Sequence, residues 1–264
     1  MAPSAHEIDY TIYGDDMQFV EIGLDPNEAV VSEAGAMMYM GPGIEMETQL
    51  GSGNESGFLG KLFSASKRML SGESLFLTVY YNQSNAFARV ALAAPYPGKI
   101  VPLNLGEYGT MLCQKDSYLC SAKGTDIDIA FTKRFGAGIF GGEGFILQRL
   151  SGDGWAFAHA GGTVSEHELG PGEVLRVDTG CIVAFQERVD YDIQYVGKIK
   201  TALFGGEGLF FACLTGPGKV FLQSLPFSRL AGRIYKAAPQ TPGRSKGEGS
   251  ILGGIGNLLG GDRR

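Results

Sequence analysis

The amino-acid sequence predicts a mainly β protein built from repeated short strands, with one or two short helices. Three observations lead to this fold class: short apolar runs recur along the chain, glycines precede several of them, and one segment repeats at an offset of 64 residues. The 264 residues include 41 glycines, about twice the ordinary share, and 44% of the chain is apolar. This composition favours a folded core with many turns over a disordered chain.

The clearest repeat is Gly-Gly-Glu-Gly followed by an apolar run, at 141–148 and again at 205–212. The same offset relates two further pairs of segments: 150–154 with 214–218, and 125–129 with 189–193. A more diverged copy, Ser-Gly-Glu-Ser-Leu-Phe-Leu-Thr, stands at 71–78. The apolar runs are rich in aromatic and β-branched residues, so each copy predicts a short strand after a glycine junction.

A second repeated segment alternates with the first and begins with a predicted turn, at 24–28, 103–107 and 169–173. An acidic pair follows each turn after 17 to 19 residues. The chain therefore contains three repeats, whose halves lie near residues 17–50, 72–131, 141–196 and 205–225. Because the series begins with one kind of half and ends with the other, neighbouring repeats can exchange strands. We expect residues 1–238 to form one three-repeat β domain.

Two segments depart from the β pattern and predict helices. Residues 58–70 place apolar side chains at helical spacing with Lys61, Lys67 and Arg68 elsewhere, which is typical of an amphipathic helix. This helix either packs on the sheets or contacts an anionic membrane. Residues 227–236 predict a second short helix. Residues 239–264 form a polar linker and a glycine-rich tail with apolar residues at 251–259.

Turn and loop residues account for the remaining glycine motifs. Asp153-Gly154 and Pro217-Gly218 predict hairpin turns between strands. Gly136, Gly138 and Gly141 spell a G-x-G-x-x-G pattern, but a β-type run follows it where a dinucleotide site needs a helix. We therefore expect a loop at this position and no cofactor.

Charge and cysteine content restrict the partners and the compartment. The formal net charge is −6 and the isoelectric point is about 5.2, which disfavours an RNA partner held by bulk electrostatics. No apolar run approaches membrane-spanning length, and the N-terminal residues lack a signal-peptide pattern. The four cysteines form no C-x-x-C pair, so we expect reduced thiols in a cytoplasmic protein.

Three acidic pairs are the candidate binding residues. In each pair the carboxylates alternate with apolar residues, so a strand would place the acids on one face and the apolar residues on the other. If the repeats surround an axis, the acids form a negative band that binds cations or a basic partner. The pairs are Glu45 with Glu47, Asp126 with Asp128, and Asp190 with Asp192.

One combination of side chains suggests a metal site. Trp155, Phe157 and His159 alternate and share a strand face, and Glu166 and Glu168 share a face of the next stretch. A site with histidine and carboxylate ligands inside a β-barrel requires such residues. The chain lacks a His-x-His pair, however, so we expect His159 to be a hydrogen-bonded residue on a half-buried strand rather than a ligand.

Several motifs resemble the altered-inheritance-of-mitochondria family, whose bacterial members are catalogued as a domain of unknown function. The matching motifs are Leu-Asp-Pro-Asn-Glu at 24–28, the segments 35–40, 71–78 and 140–144, and Leu-Thr-Gly-Pro-Gly-Lys at the start of 214–225. The resemblance covers about residues 7 to 235. It implies three segment-swapped units similar to the tryptophan RNA-binding attenuation protein, itself related to a short double-stranded β-helix. It also implies a homotrimer whose nine units close a ring.

The leading hypothesis is a non-enzymatic, ring-forming homo-oligomer that acts as a scaffold or binding protein. The repeats, the lack of a catalytic constellation and the resemblance all favour it. A metal-binding or small-ligand-binding β-barrel is the first alternative, and a peripheral membrane-associated factor is the second. Fold kinship does not transfer function, and the repeats carry no Lys or Arg at matching positions, so RNA binding is not expected.

Overall fold

A computed structural model describes residues 5–50, 76–133, 145–195 and 210–238. Several predicted features lie outside these ranges: the helix at 58–70, the glycine loop at 136–141, the glycine junctions at 141–142 and 205–206, and the tail at 239–264. Within the described ranges the chain forms nineteen strands and two α-helices. The predicted mainly β fold with short helices is confirmed.

The strands follow one another closely along the chain. They are β1 (Asp9–Tyr13), β2 (Phe19–Leu24), β3 (Ala29–Glu33), β4 (Met37–Met40), β5 (Ile44–Leu50), β6 (Phe76–Asn82), β7 (Ala88–Ala93), β8 (Gly98–Asn104), β9 (Met111–Gln114), β10 (Tyr118–Ala122), β11 (Asp126–Lys133), β12 (Phe145–Ser151), β13 (Trp155–Gly161), β14 (Val164–Leu169), β15 (Val174–Asp178), β16 (Ile182–Gln186), β17 (Asp190–Tyr195), β18 (Phe210–Thr215) and β19 (Gly218–Gln223). The helices are α1 (Leu105–Tyr108) and α2 (Phe227–Ala237).

Four antiparallel sheets contain these strands. The first sheet has the order β1-β2-β7-β4, and the second has the order β5-β6-β3-β10-β13-β8. The third sheet has the order β11-β12-β9-β16-β19-β14, and the fourth has the order β15-β18-β17. The two six-stranded sheets each join two groups of three strands through one pairing, β3 with β10 and β9 with β16.

Three hydrophobic clusters lie between successive sheets. Val20 and Val90 of the first sheet pack with Phe157 of the second in one cluster. The next cluster joins the second sheet to the third, and the last joins the third sheet to the fourth. Each buried Leu, Ile or Phe side chain contributes about 1.5–3 kcal/mol on burial, so these clusters fix how the sheets stack.

Two of the three predicted turns share one geometry. The backbone N–H of Asp25 donates to the Glu28 carboxylate at 2.8 Å, and that of Gly170 donates to the Glu173 carboxylate at 2.9 Å. The middle segment differs, because Asn104 caps the N-terminus of α1 by accepting from two backbone N–H groups. A helical turn therefore stands where the sequence predicts a third copy of the same turn.

The predicted hairpins at Asp153-Gly154 and Pro217-Gly218 are wrong in one respect. Both positions are turns, but β12 lies in the third sheet and β13 in the second. Likewise β18 lies in the fourth sheet and β19 in the third. The turns therefore carry the chain between sheets, because each flanking strand finds its hydrogen-bonding partners elsewhere.

Candidate functional site

The three acidic pairs lie on the outermost strands of three sheets. Glu45 and Glu47 are on β5, Asp126 and Asp128 on β11, and Asp190 and Asp192 on β17. Each of these strands has one hydrogen-bonded neighbour within the described chain, namely β6, β12 and β18. The acidic side chains therefore border the sheets rather than an enclosed cavity.

Burial along these strands follows the predicted alternation with one departure. Ile44, Ile127 and Ile193 are buried, whereas five of the six carboxylates are exposed and Asp128 is half-buried. Met46 stands between Glu45 and Glu47 and is also exposed, although the alternation predicts that it faces the core. Strand β5 therefore leaves both of its faces partly open to solvent at this point.

Local hydrogen bonds hold several of the carboxylates. The Gln83 side-chain amide donates to Glu45 at 2.5 Å, and the Gln194 amide donates to Asp192 at 3.1 Å. In the described part of the chain, no group of three His, Cys, Asp or Glu side chains is placed to hold a metal ion. The six carboxylates can form a negatively charged surface. Their hydrogen bonds to Gln83 and Gln194 are ordinary contacts of side chains on edge strands.

His159 is a buried residue of β13, only 2% exposed. Its ring packs edge-on against Tyr96 with the centroids 4.5 Å apart, and neither ring nitrogen has a hydrogen-bond partner in the structure. Burial lowers the pKa of His159 to about 4, because the charged imidazolium would lose its hydration. His159 is therefore a neutral core residue at physiological pH. The predicted hydrogen bond and half-buried strand are wrong, because β13 is buried on both faces after Trp155.

Glu166 and Glu168 lie on β14 in the third sheet, whereas His159 lies in the second sheet. Each glutamate has a basic neighbour: Lys219 lies 3.7 Å from Glu166, and Arg188 lies 3.6 Å from Glu168. Both glutamates are exposed; the pair with Lys219 joins neighbouring strands, and Arg188 reaches Glu168 from the connection between β16 and β17. The structure does not bring the three candidate metal ligands into one group.

The sequence analysis missed two exposed edge strands in the described part of the chain, one in the first sheet and one in the fourth. Strand β4 is an edge strand of the first sheet. All four of its residues are exposed, with Met38 at 56%. Strand β15 is an edge of the fourth sheet, and Val174 and Arg176 on it are exposed. The uninterrupted run Met-Met-Tyr-Met in β4 was the available signal, since a solvated edge strand rarely carries four large apolar residues.

Glu33, at the end of β3, is a second residue that the sequence analysis missed. Burial raises its pKa to about 7, and the negative charge of nearby Asp116 adds to this effect while Lys115 opposes it. Nothing in the local sequence signals this, because Asp116 is 83 positions away and approaches only when β3 pairs with β10. The Glu33 carboxyl group lies at the pairing of β3 with β10, which is one of the two pairings that join groups of three strands.

Comparison with known proteins identifies the family. A family model described as mitochondrial biogenesis AIM24 matches residues 10–225. The chain belongs to the AIM24 family. The predicted resemblance to the altered-inheritance-of-mitochondria family, and to a bacterial domain of unknown function, is confirmed.

The relatives of this AIM24-family chain extend over most of its length. An uncharacterized protein of Streptococcus pyogenes serotype M6 is 32% identical over 227 residues, which is 84% of this chain and 88% of that protein. An X-ray crystal structure of a Streptococcus pyogenes protein aligns with a TM-score of 0.70 at 26% identity. That alignment covers 88% of this chain and all of the other. Among the described helices, none has the length and hydropathy to cross a membrane.

Proposed function

We propose that this AIM24-family chain is a non-enzymatic, ring-forming scaffold or binding protein made of identical copies. One observation carries the proposal: β4 and β15 are exposed strand edges at opposite ends of the sheet series. Unpaired edges with apolar side chains favour pairing with another chain.

An internal threefold repeat of strand pairings supports the proposal. In one kind of group, β7 lies between β2 and β4, β13 between β8 and β10, and β19 between β14 and β16. In the other kind, β6 lies between β5 and β3, β12 between β11 and β9, and β18 between β17 and β15. We infer three six-stranded units, β2–β7, β8–β13 and β14–β19, of which the last two correspond at the offset of 64 residues.

The joints between units share one register. Ser121 of β10 stands opposite Val31 of β3, and Phe185 of β16 stands opposite Leu112 of β9. Strands β4, β10 and β16 each contain a register shift at the same place along the strand. This agreement supports treating β4 as the counterpart of β10 and β16, and β15 as the counterpart of β3 and β9.

Continuing the series requires β15 of one copy to pair with β4 of the next. By the same register, Met40 of one copy stands opposite Arg176 of the next, and Tyr39 stands opposite Val177. Burial supports this assignment, because every residue of β10 and β16 is buried while every residue of β4 is exposed. A second copy at this edge would remove the apolar side chains of β4 from water.

The copy number comes from the family resemblance, which implies three chains and nine units in a closed ring. An edge-to-edge contact between two different surfaces closes into a ring only when its rotation divides a full turn, and otherwise it grows into a filament. The trimer is therefore part of the proposal. We also propose a cytoplasmic location, supported by four free cysteines, two of them buried.

The acidic pairs are the proposed binding surface of such a ring. They occupy corresponding edge strands in the three units, β5, β11 and β17, and most of their carboxylates are exposed. Repetition around an axis would turn them into a negative band suited to cations or to a basic protein partner. The net charge of −6 supports such partners over RNA.

A cross-linking experiment tests the proposed joint. The double variant Met40→Cys/Arg176→Cys places cysteines at opposite positions of neighbouring copies, within reach of a disulfide. Mild oxidation should give covalent dimers and trimers on a non-reducing gel, with no longer products. The control Met40→Cys/Gln194→Cys moves the second cysteine to β17, the other edge of the fourth sheet, and should remain monomeric on the gel. Equal cross-linking in both variants would contradict the register, and a ladder without an upper limit would contradict the closed ring.

A further inference from the structure

Residues 5–13 form a strap along the edge of the first sheet and over part of the second. The second half of the strap is β1, which pairs with β2 over five residues. Ile8 is buried, and the Tyr10 ring packs edge-on against the rings of Trp155 and Phe157, with centroids 5.0 and 4.9 Å away. The strap therefore keeps part of the apolar cluster between these two sheets out of water.

Three hydrogen bonds join the strap to β3 and to the β10–β11 connection in a closed cycle. The His6 backbone N–H donates to the Lys123 carbonyl at 2.8 Å, and the Lys123 backbone N–H donates to the Ala29 carbonyl at 3.0 Å. The Ala29 backbone N–H in turn donates to Nδ1 of the His6 ring at 3.0 Å. The His6 side chain thus completes the contact that holds the first half of the strap.

The neutral imidazole is the form of His6 that can make the bond to Ala29. A backbone N–H donates and does not accept, so Nδ1 must present a lone pair and Nε2 carries the proton. A protonated His6 would place its own N–H against the Ala29 N–H, and the hydrogen bond would be lost. Burial lowers the pKa of His6, and the positive charge of Lys123 adds to this effect. The closed strap therefore disfavours the charged form of His6.

We propose that His6 is a pH-sensitive latch that keeps the strap closed at neutral pH and lets it open in mild acid. Opening uncovers the edge of β2 and the aromatic side chains of Trp155 and Phe157 that Tyr10 covers. The cover over this surface thus depends on pH. The latch acts within one copy, so it does not require the proposed ring.

The direction of the pH effect follows from proton linkage. With the strap open, His6 returns to its ordinary pKa of 6.5, whereas the closed strap binds the proton only at lower pH. The contribution of His6 to closure is therefore complete above pH 6.5 and is lost as the pH falls below it. Within that window the ratio of open to closed strap rises by up to about tenfold per pH unit.

Another titratable group beside the strap acts in the opposite direction. Burial raises the pKa of Glu28, the backbone N–H of Asp25 opposes this, and the charges of Asp25, Asp9 and Glu7 add to it. Acid therefore favours closure through Glu28 and opening through His6, and a variant at His6 is needed to separate the two. The charged groups on the strap and on the connections that it contacts are Glu7, Asp9, Asp25, Glu28, Lys123 and Asp153.

Hydrogen exchange of the full chain, followed by mass spectrometry, tests the proposal at about pH 7.5 and about pH 5.5. After correction for the intrinsic exchange rate, the protection of peptides from residues 5–13 should fall by up to about tenfold at the lower pH. Unchanged protection of the strap would overturn the proposal. A fall of the same size in peptides from β13 would also overturn it, because it would reflect global unfolding.

The variant His6→Asn connects the pH response to His6. The asparagine Oδ1 stands as many bonds from Cα as Nδ1 does, accepts from an N–H and does not titrate, so the response of the strap should disappear. His167→Asn is the matched control, because His167 lies on β14 in the third sheet and should leave the native response unchanged. A response of native size in His6→Asn would contradict the proposal.

A measurement without a change at His6 covers the case in which His6→Asn does not fold. The chain has three histidines, so His167→Asn leaves His6 and His159 as its imidazoles. In histidine-selective NMR, His159 should titrate near pH 4, and His6 should titrate between that value and 6.5. An imidazole that titrates at 6.5 or above in this variant would overturn the proposal, because closure would then not disfavour the charged form of His6.

Discussion

The fold shifts the pKa values of two individual side chains, Glu33 and His159. Burial raises the pKa of Glu33 to about 7 and lowers the pKa of His159 to about 4. Both shifts favour the neutral form, because each charged form would lose hydration inside the protein. The two groups therefore act on stability in opposite directions as the pH changes, since one is an acid and the other a base.

The sign of the Glu33 effect follows from its two pKa values. Between the ordinary value of 4.5 and about 7, the folded chain keeps the proton on Glu33 while the unfolded chain releases it. The stability that this proton contributes is complete below 4.5 and is lost as the pH rises through 7. For His159 the unfolded chain binds a proton below 6.5 while the folded chain stays neutral until about 4, so acid in that range lowers stability.

We predict that Glu33→Gln stabilises the protein at neutral and alkaline pH. Glutamine stays uncharged, so the variant avoids the cost of a buried carboxylate, which is up to about 3 kcal/mol above pH 7. Near pH 4.5 the two proteins should differ little, because Glu33 itself is neutral there. Urea unfolding followed by circular dichroism at both pH values measures the difference.

The control for this prediction is Glu107→Gln, which neutralises an exposed carboxylate on α1. It should change the free energy of unfolding by a small amount at both pH values. A gain for Glu33→Gln that is the same at pH 4.5 and above pH 7 would contradict the assignment, since it would reflect packing rather than ionisation.

The sequence was informative about exposed residues and uninformative about buried polar ones. Alternation predicted the exposure of Glu45, Asp126 and Asp190, because a half-buried strand has period 2. Glu33 and Asp116 approach each other through a strand pairing between distant segments, and no local pattern encodes such a distance. The packing of His159 against Tyr96 was missed for the same reason.

At the scale of secondary structure, the proposed contact between copies rests on the exposed edge strands β4 and β15. The strands proposed as their counterparts are buried, which supports the proposal that these two edges contact another copy. The sequence predicts short strands and a helix at residues 227–236, and both are confirmed, whereas the repetition of the strands stays a prediction. It predicted simple hairpins at two glycine turns, because local turn chemistry does not tell which sheet the next strand enters.

We predict that charge at position 40 controls assembly through Arg176. Met40→Lys should weaken the joint, because Lys would stand opposite Arg176 of the next copy, whereas Met40→Glu should preserve it. In an Arg176→Glu background the preference should reverse, so that the Lys variant assembles and the Glu variant does not. Sedimentation velocity at several protein concentrations measures the oligomer in all four combinations.

The reversal is the decisive feature of this set of variants. If both Met40 variants weaken assembly in both backgrounds, β4 contacts another copy in a different register. If none of the four combinations changes the sedimentation coefficient, β4 does not take part in the joint. The native chain serves as the reference for each measurement.

At the scale of the whole molecule, four sheets form a series with apolar clusters between them and open edges at both ends. Inside the series, β3 pairs with β10 and β9 pairs with β16, whereas β4 and β15 lack such a pairing within the described part of the chain. The offset of 64 residues predicts two of the three proposed units, since it relates β8–β13 to β14–β19. For the proposed first unit, the order of strand pairings is a stronger argument than the residues are.

The mass of the native chain in solution tests the central proposal most directly. Each copy has a mass of 28.1 kDa, so light scattering coupled to size exclusion should give a single species near three times that value, about 84 kDa. The mass should stay constant on dilution through the micromolar range if the joints close a ring. A clean species of 28.1 kDa at micromolar concentration would contradict the account, because β4 and β15 would then be stable without a partner.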